Sequence, residues 1–571
     1  WQRPAPIVPR ELRFEGPERR AADGPVLRSL DGFDAAPLAH ALREAGVQTV
    51  AVAFVNSYVN AGNEEAVAHA LRQLLPDVPV TTSAGLVRAR GEFERASTAV
   101  LNAYLTPMMA EYLDRLHAEL SSKGVTAPVN IMGSNGGAMT LAEAARRVSG
   151  TFLSGPVGGV NGAVQVARML ALEDVITLDM GGTSTDVALV HRLEPRMSYD
   201  NQVDAYPLQM PQLDIHAIGA GGGSIVWVGP DGMLQIGPRS AGALPGPACY
   251  GRGGTEPTIS DANLLLGRLP ADHPLSGGLN LRMDLAEQAF REAAQRVGET
   301  DVHQLAARAL QVATAKMAGA VREVSVHRGF DPRDFVLVGY GGAGPMHVFE
   351  VAQELAIATV VVPRFPGHLS ALGQMLADLR HDTVRVWGGR LSQLQASALN
   401  EQVEAMRAQA GAQLQRDGMP PERQLHAFGL DMRYRGQSFT LQIPYEPAPD
   451  WSAVRAAFDR RHGKTFGYAT RDTDVEIVNV RLMSLGLVDK PQLRFTHESE
   501  GDPRYDSRPV WFDGWMDCGL YDRERMPAGF SFNGPAVVTE AGGTSVVPPG
   551  WDVRVHESGA MVCKHTSPGQ V

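Results

Sequence analysis

Cysteine is scarce in this chain: three residues in 571, at Cys249, Cys518 and Cys563. An odd count at wide spacing signals neither a disulfide framework nor a zinc site, and it fits a reducing cytoplasm. No run of about 18 apolar residues occurs, so no transmembrane helix is expected. The opening WQRPAPIVPREL has neither an apolar core nor an initiator Met. No signal peptide is read there, and a start at Trp1 reads as a piece of something longer. A basic excess is missing too: 52 Lys and Arg against 63 Asp and Glu leave a formal charge of −11. That argues against a nucleic-acid or anionic-membrane surface, but not against a phosphate site built from backbone N–H groups. No GxSxG, HExxH or CxxC segment is present, which removes serine-hydrolase, zincin and thiol-redox readings.

What remains is a chain with ample means to bury a core. Hydrophobic residues make up 44% and charged residues 20%, and the length predicts about two to four domains. Residues 1–35 are polar and rich in Pro and Gly. From Asp34 to about Thr82, short helices (APLAHALREAG, NEEAVAHALRQLLP) alternate with an apolar strand (VQTVAVAFV), an α/β pattern. VPVTTSAGLV reads as extended. Ser97–Ser122 predicts a long helix interrupted near Thr106–Pro107. Apolar residues at helical period make 303–328 the clearest helix, stopped by Gly329. After about Arg390 a Gln-rich helical stretch leads into alternating strands, and residues from about 425 onward read as β-rich with a separate core.

Glycine is abundant, with 61 residues, many of them between 150 and 262. The most informative line is DVITLDMGGTSTDVALV. An apolar strand delivers Asp179, Gly181, Gly182 and the hydroxyls of Thr183, Ser184 and Thr185, and a second strand leads back from Asp186. Both flanks are strand-like, so this is a hairpin tip. Its glycines let consecutive N–H groups face one concavity, a nest suited to phosphate oxygens. Asp179 and Asp186 supply the oxygen ligands that Mg2+ takes directly or through water. A glycine hairpin capped by Asx and Ser/Thr turns is the plainer alternative.

Four further segments carry candidates. In VGYGGAGPMHVFEVA a strand ends in Gly341, Gly342, Ala343 and Gly344, and a helix follows. Small residues there let a flat ring or a phosphate lie against the helix N-terminus, and close strand–helix packing explains them as well. In LDIHAIGAGGGS, Asp214 and His216 share one face of a strand ahead of Gly219–Ser224, read as another nest. His216 has the chemistry of a general base with Asp214 orienting it or binding a metal, or it is a hydrogen-bonded structural histidine. Asp261 in PTISDANLL reads as a helix N-cap, as Ser260 does, with a chemical role as the alternative. Glu94, Arg95, Thr98 and Asn102 share a helix face that borders a substrate or is simply polar. His347, one turn into a helix, reads as structural.

The forms DxGGTSTD and GGAGP resemble the phosphate and adenosine loops of the actin/Hsp70/sugar-kinase fold. More specifically, the chain resembles the hydantoinase A / 5-oxoprolinase family. The resemblance is carried by EFERASTAVLNAYLTP, SGPVGGV, LDMGGTSTDVALV, DIHAIGAGGGSI, PGPACYGRGG, DANLLLGRL, DPRDFVLVGYGGAGPMH and PGHLSALG, with C-terminal echoes RYRGQSFTLQIPY, EIVNVRL and GPAVVTEAGGTSVVPPG. It implies an α/β fold with a ribonuclease H-like, actin-like nucleotide-binding core and a C-terminal β-rich domain. The implied division is 1–85, the remainder of an N-terminal α/β subdomain; 86–390, the nucleotide-binding core with both glycine loops; and 391–571, a helical connector and the β-rich domain.

The implied activity is ATP- and Mg2+-dependent hydrolysis of a cyclic amide (a hydantoin, 5-oxoproline or related lactam) after phosphoryl activation of the amide oxygen. The chain would act as one subunit of a cytoplasmic hetero-oligomer with a hydantoinase B-type partner. A ketone carboxylase subunit and a non-catalytic assembly subunit are the implied alternatives. Carried over by position, Gly181, Gly182, Thr183, Ser184, Thr185 and Asp186 form the second phosphate loop, with Asp179 as the metal ligand. Gly341, Gly342, Ala343 and Gly344 form the adenosine loop. Asp214 and His216 become a substrate-side catalytic pair, and Asp261 the third catalytic candidate. The family pattern also opens with a first phosphate loop, DxGGTFTD. This sequence has none before Asp179, so half of the phosphate clamp is expected to be missing from the chain as given.

Overall fold

The apolar runs VITLDM and VLVGY become adjacent parallel strands at the centre of the largest sheet. The strands of this sheet used below are β1 (Val175–Met180), β2 (Thr185–His191), β3 (Ile215–Ile218), β4 (Val336–Tyr340), β5 (Thr359–Val362), β6 (Ser531–Asn533), β7 (Trp551–Val555) and β8 (Met561–His565), in the spatial order β3-β2-β1-β4-β5-β8-β7-β6. Strands β3, β2 and β1 form an antiparallel meander, and β4 and β5 continue parallel to β1. That is the ribonuclease H-like arrangement. The chain is described by a computed structural model over residues 5–22, 24–270, 278–447, 450–470, 472–491 and 501–566.

The parallel strands are buried on both sides and accordingly read as continuous apolar runs rather than alternating ones. The helix Val302–Val324 covers one face. Its buried Leu305, Ala309, Met317 and Val321 belong to a single core with Ile176, Leu178, Val187 and Leu337. Strands β7 and β8 contribute Trp551, Val553, Met561 and Cys563 to the same core.

The chain divides into two compact units. One comprises Trp1–Ser154, Met197–Gln212 and Ala377–Asp489; the other comprises Gly155–Arg196, Leu213–Leu376 and Lys490–Val571. The large sheet lies in the second unit. The first holds a six-stranded sheet ordered Leu441–Tyr445, Gln424–Tyr434, Val475–Gly486, Leu379–Arg390, Ala138–Thr140 and Asn130–Met132. The helices Ala396–Arg416 and Trp451–Phe466 pack on it around Phe458, Leu430 and Val480. Residues beyond 425 therefore do not share one separate core. Their strands up to Gly486 pack in the first unit; Ser531–Asn533, Trp551–Val555 and Met561–His565 extend the large sheet, and Arg504–Trp511, Trp515–Asp522, Ala536–Glu540 and Gly543–Val547 form a separate four-stranded sheet in the second unit, because long-range strand pairing overrode sequence proximity.

Two local expectations change. The long helix runs unbroken from Glu92 to Ser122 through Pro107. The proline ring removes one backbone bond, but the Thr106 hydroxyl donates to the Asn102 carbonyl at 2.8 Å in that turn. Val80–Thr82 is a strand, but Ser83–Leu86 turns into a short helix. On the polar face, Arg95, Thr98 and Asn102 are buried and Glu94 is half-buried. Arg95 is 1% exposed, ion-paired with Glu92 and lying 3.6 Å from the fully buried Glu64. No helix among the described residues is long and apolar enough to cross a membrane. All three cysteines are buried and unpaired.

Candidate functional site

Two loops far apart in sequence meet because β1 and β4 are parallel neighbours, with Asp179 opposite Tyr340. Their C-terminal ends carry Gly181–Ser184 and Gly341–Gly344 to one edge of the sheet, where open α/β sheets bind ligands. The approach leaves no room for side chains. A Cβ at Gly341 would sit 2.4 Å from Asp179 Oδ1 and 2.5 Å from the Met180 carbonyl, and its φ of +85° also favours glycine. The Ala343 N–H donates to the Met180 carbonyl at 2.9 Å, and the Gly341 N–H donates to the Pro366 carbonyl at 3.0 Å.

The hairpin tip is closed by the Gly181 N–H donating to the Ser184 carbonyl at 3.0 Å. Among the described residues, the N–H groups of Gly182, Thr183, Ser184, Gly342 and Gly344 have no partner. A Cβ on Gly181, Gly182 or Gly342 would meet nothing within 4 Å, and none of the three has a left-handed φ. Neither the backbone conformation nor local packing requires glycine there, and the loops face open space. The hydroxyls divide their work. Thr183 is exposed, Ser184 donates to Asp186 at 3.2 Å, and the buried Thr185 spends its hydroxyl on the Ala220 carbonyl.

Asp179 and Asp186 are directly opposed across the β1–β2 hairpin. Burial, and then the neighbouring Asp186 charge, push the Asp179 carboxyl up to about 6, against a hydrogen bond from Ser370 that lowers it. Burial raises Asp186 as well, opposed by the Ser184 hydroxyl. Among the described residues neither carboxylate has an ion-pair partner, and no group of three potential metal ligands occurs. Two carboxylates without a counter-charge, beside free N–H groups, match Mg2+, which takes one or two carboxylates and completes its shell with water and phosphate oxygens.

The Gly219–Ser224 segment is a buttress rather than a second nest. Its N–H groups are already used: Gly222 donates to Gly181, Gly223 to Gly182 at 2.7 Å, and Gly221 to the Ser224 hydroxyl. A Cβ at Gly221 would lie 2.5 Å from the Thr183 nitrogen. Three other candidates are not brought to the carboxylates. His216 is opposite Val187 on β2, whereas Ala217 is opposite Asp186, so His216 points to the other face of the sheet. Asp214 is engaged by Arg196 at 3.2 Å and Arg328 at 3.4 Å, with no bond to His216. Asp261 is fully buried at the third position of a helix whose N-cap is Thr258. Its carboxylate accepts from the Thr258 N–H and hydroxyl and from the Cys249 N–H. The N-cap expected at Asp261 or Ser260 thus falls at Thr258, with Asp261 completing a capping box. His347 is buried beside Asn263, and burial lowers it to about 4.

Two contributors escaped the sequence reading. Ser370, in the PGHLSALG segment, reaches Asp179. Glu540, in the C-terminal EAGG turn, accepts from the Phe365 N–H at 3.0 Å and sits beside Arg364. It holds Phe365 in a left-handed conformation next to Pro366, whose carbonyl anchors Gly341. PGHLSALG and EAGG were visible as family-like strings, but nothing local ties either to the phosphate loop.

The sheet order and the paired glycine loops define a mixed α/β protein of the actin-like nucleotide-binding fold. The hydantoinase/oxoprolinase family profile matches residues 95–383, with its C-terminal domain matching 390–565 and its N-terminal region 2–75. The chain belongs to this family. It is 34% identical to the caprolactamase subunit alpha of Pseudomonas jessenii over 97% of its own length and 81% of that protein. It is 30% identical to the acetophenone carboxylase gamma subunit of Aromatoleum aromaticum, over 99% and 80%. The crystal structure of the ATP-dependent caprolactamase from P. jessenii superposes with a TM-score of 0.89 at 33% identity, over 99% of this chain and 84% of that one.

Proposed function

We propose that this chain is the nucleotide-handling subunit of an ATP-dependent enzyme that hydrolyses a cyclic amide. The observation that carries the reading is the row of unpartnered N–H groups at Gly182, Thr183 and Ser184 above the opposed carboxylates of Asp179 and Asp186. Backbone donors of this kind hold phosphate oxygens without a basic side chain. Thr183 adds a hydroxyl from the loop tip. Gly342 and Gly344, at the start of the helix Gly344–Glu354, add two more donors at its positive end. Asp179 is the direct Mg2+ ligand, and Asp186 orients water around it. The metal, when bound, neutralises charge on the transferred phosphoryl group. With the amide oxygen phosphorylated, water adds to the amide carbon, the C–N bond breaks as the ring nitrogen leaves as a protonated amine, and a second water hydrolyses the resulting acyl phosphate to the open-chain acid and phosphate. Thr185, Asp214, His216 and Asp261 stay outside this assignment, because their polar atoms are spent elsewhere or face away.

Relatives named as alpha and gamma subunits make a multi-subunit assembly the natural setting, with a hydantoinase B-type chain as the proposed partner. If the complete complex hydrolysed ATP at an unchanged rate after Asp179→Ala, the metal and phosphate assignment would be wrong. The likeness to a carboxylase gamma subunit favours ketone carboxylation as the second reading. Product formation that requires bicarbonate selects it over hydrolysis.

A further inference from the structure

The helix Ser154–Met169 carries SGPVGGVNGA, and the helix Leu369–Met375 carries LSALGQM. These two helices cross with almost no side-chain spacing. A Cβ at Gly158 would lie 2.6 Å from the Ser370 carbonyl, one at Gly162 2.7 Å from the Leu369 carbonyl, and one at Gly373 1.8 Å from the Gly158 carbonyl. None of these glycines has a left-handed φ, so each is there for proximity alone. Gly159 leaves a notch in which its absent methyl would stand 3.0 Å from Ser370 Oγ and 2.8 Å from the Tyr340 hydroxyl. The outcome is that Ser370 Oγ donates to Asp179 Oδ2 at 3.5 Å, across 191 residues of sequence. Gly341 closes on Oδ1 from the other side.

We propose that Ser370 is a positioning residue for Asp179. It holds one carboxylate oxygen so that the group presents a fixed edge to a divalent cation, and the glycine-only crossing sets its reach. Partners of this kind orient metal ligands without touching the metal, and losing one typically weakens metal binding about 10-fold or more. The inference rests on the Mg2+ assignment above.

The test is calorimetry of the full chain with a non-hydrolysable ATP analogue, in MgCl2 titrations and in EDTA. Ser370→Ala is expected to raise the Mg2+ concentration for half-maximal enhancement about 10-fold, leave analogue affinity in EDTA unchanged, and leave Tm unchanged. Ser370→Thr, which keeps the hydroxyl, is expected to behave close to the unaltered chain. Gly159→Ala, which crowds the notch, is expected to reproduce the Mg2+-specific loss. Equal weakening with and without Mg2+ would make Ser370 merely structural and overturn the proposal. So would an unaltered Mg2+ dependence in Ser370→Ala alongside its loss in Asp179→Asn, and in that case the metal assignment would survive. Mg2+ dependence that persists in Asp179→Asn overturns both.

Discussion

Replacing Asp179 by Asn should make the metal-free protein more stable at neutral pH while removing its Mg2+-dependent nucleotide binding. A carboxyl raised from 3.8 to about 6 in the folded state binds its proton more tightly folded than unfolded. The folded state is therefore favoured fully below pH 3.8, and this advantage is lost as the pH rises through 6. At about 1.4 kcal/mol per pH unit, the charged form costs roughly 3 kcal/mol above pH 6, and residual solvent contact lowers this to about 1–3 kcal/mol. Asparagine keeps the shape and an acceptor for Ser370 but carries no charge toward Asp186. Thermal melts of the metal-free protein should show Tm rising by about 1–3 °C at pH 7.5, with the gain vanishing near pH 4. Addition of MgCl2 and an ATP analogue should raise Tm of the unaltered chain and leave the Asn variant unmoved. A variant that is destabilised at pH 7.5, or stabilised equally at pH 4 and pH 7.5, would refute the opposed-carboxylate reasoning. The site would be one more case of stability given up for binding.

Other substitutions separate ligand-serving glycines from structural ones. Gly182→Ala adds a methyl that meets nothing within 4 Å, so Tm should change little while analogue affinity falls about 10-fold or more, as read by calorimetry. Gly221→Ala drives a methyl to 2.5 Å from the Thr183 nitrogen and should cost about 1–3 kcal/mol by denaturant unfolding. Asp261→Ala strands two buried N–H donors and should cost about 2–4 kcal/mol; a folded variant with unchanged Tm and no turnover would restore a chemical role. Asp214→Asn should lower stability by about 1 kcal/mol or less through its arginine pairs without changing nucleotide affinity.

Much of the site was legible in one dimension because its parts are local. The glycines, hydroxyls and carboxylates of the β1–β2 hairpin lie within eight consecutive positions, Asp179 to Asp186, and turn chemistry depends on neighbours in sequence. The strand, tight turn and helix around Gly341–Gly344 are equally local. Their pairing at one sheet edge was expected through family likeness, and the parallel register of β1 and β4 supplies the physical link.

Where the sequence reading strayed, the deciding quantity was register or long-range contact. Alternation places Asp214 and His216 on one face in sequence, but Asp214 falls just outside β3, and only the pairing of His216 with Val187 reveals that His216 faces away from Asp186. Gly219–Ser224 has the composition of a nest, yet the Gly222 and Gly223 donors are taken by the Gly181 and Gly182 carbonyls, and those of Ala220, Gly221 and Ser224 by the segment's own neighbours. Ser370 reaches Asp179 across 191 residues and Glu540 reaches Phe365 across 175, and no local pattern encodes such a meeting. Sequence alone determined which backbone donors and carboxylates the hairpin offers, since those follow from composition and turn geometry over a few residues. Tertiary structure decided which donors stay free, which carboxylates face each other and what holds them. Those depend on strand register and on helix crossings close enough that only glycine fits.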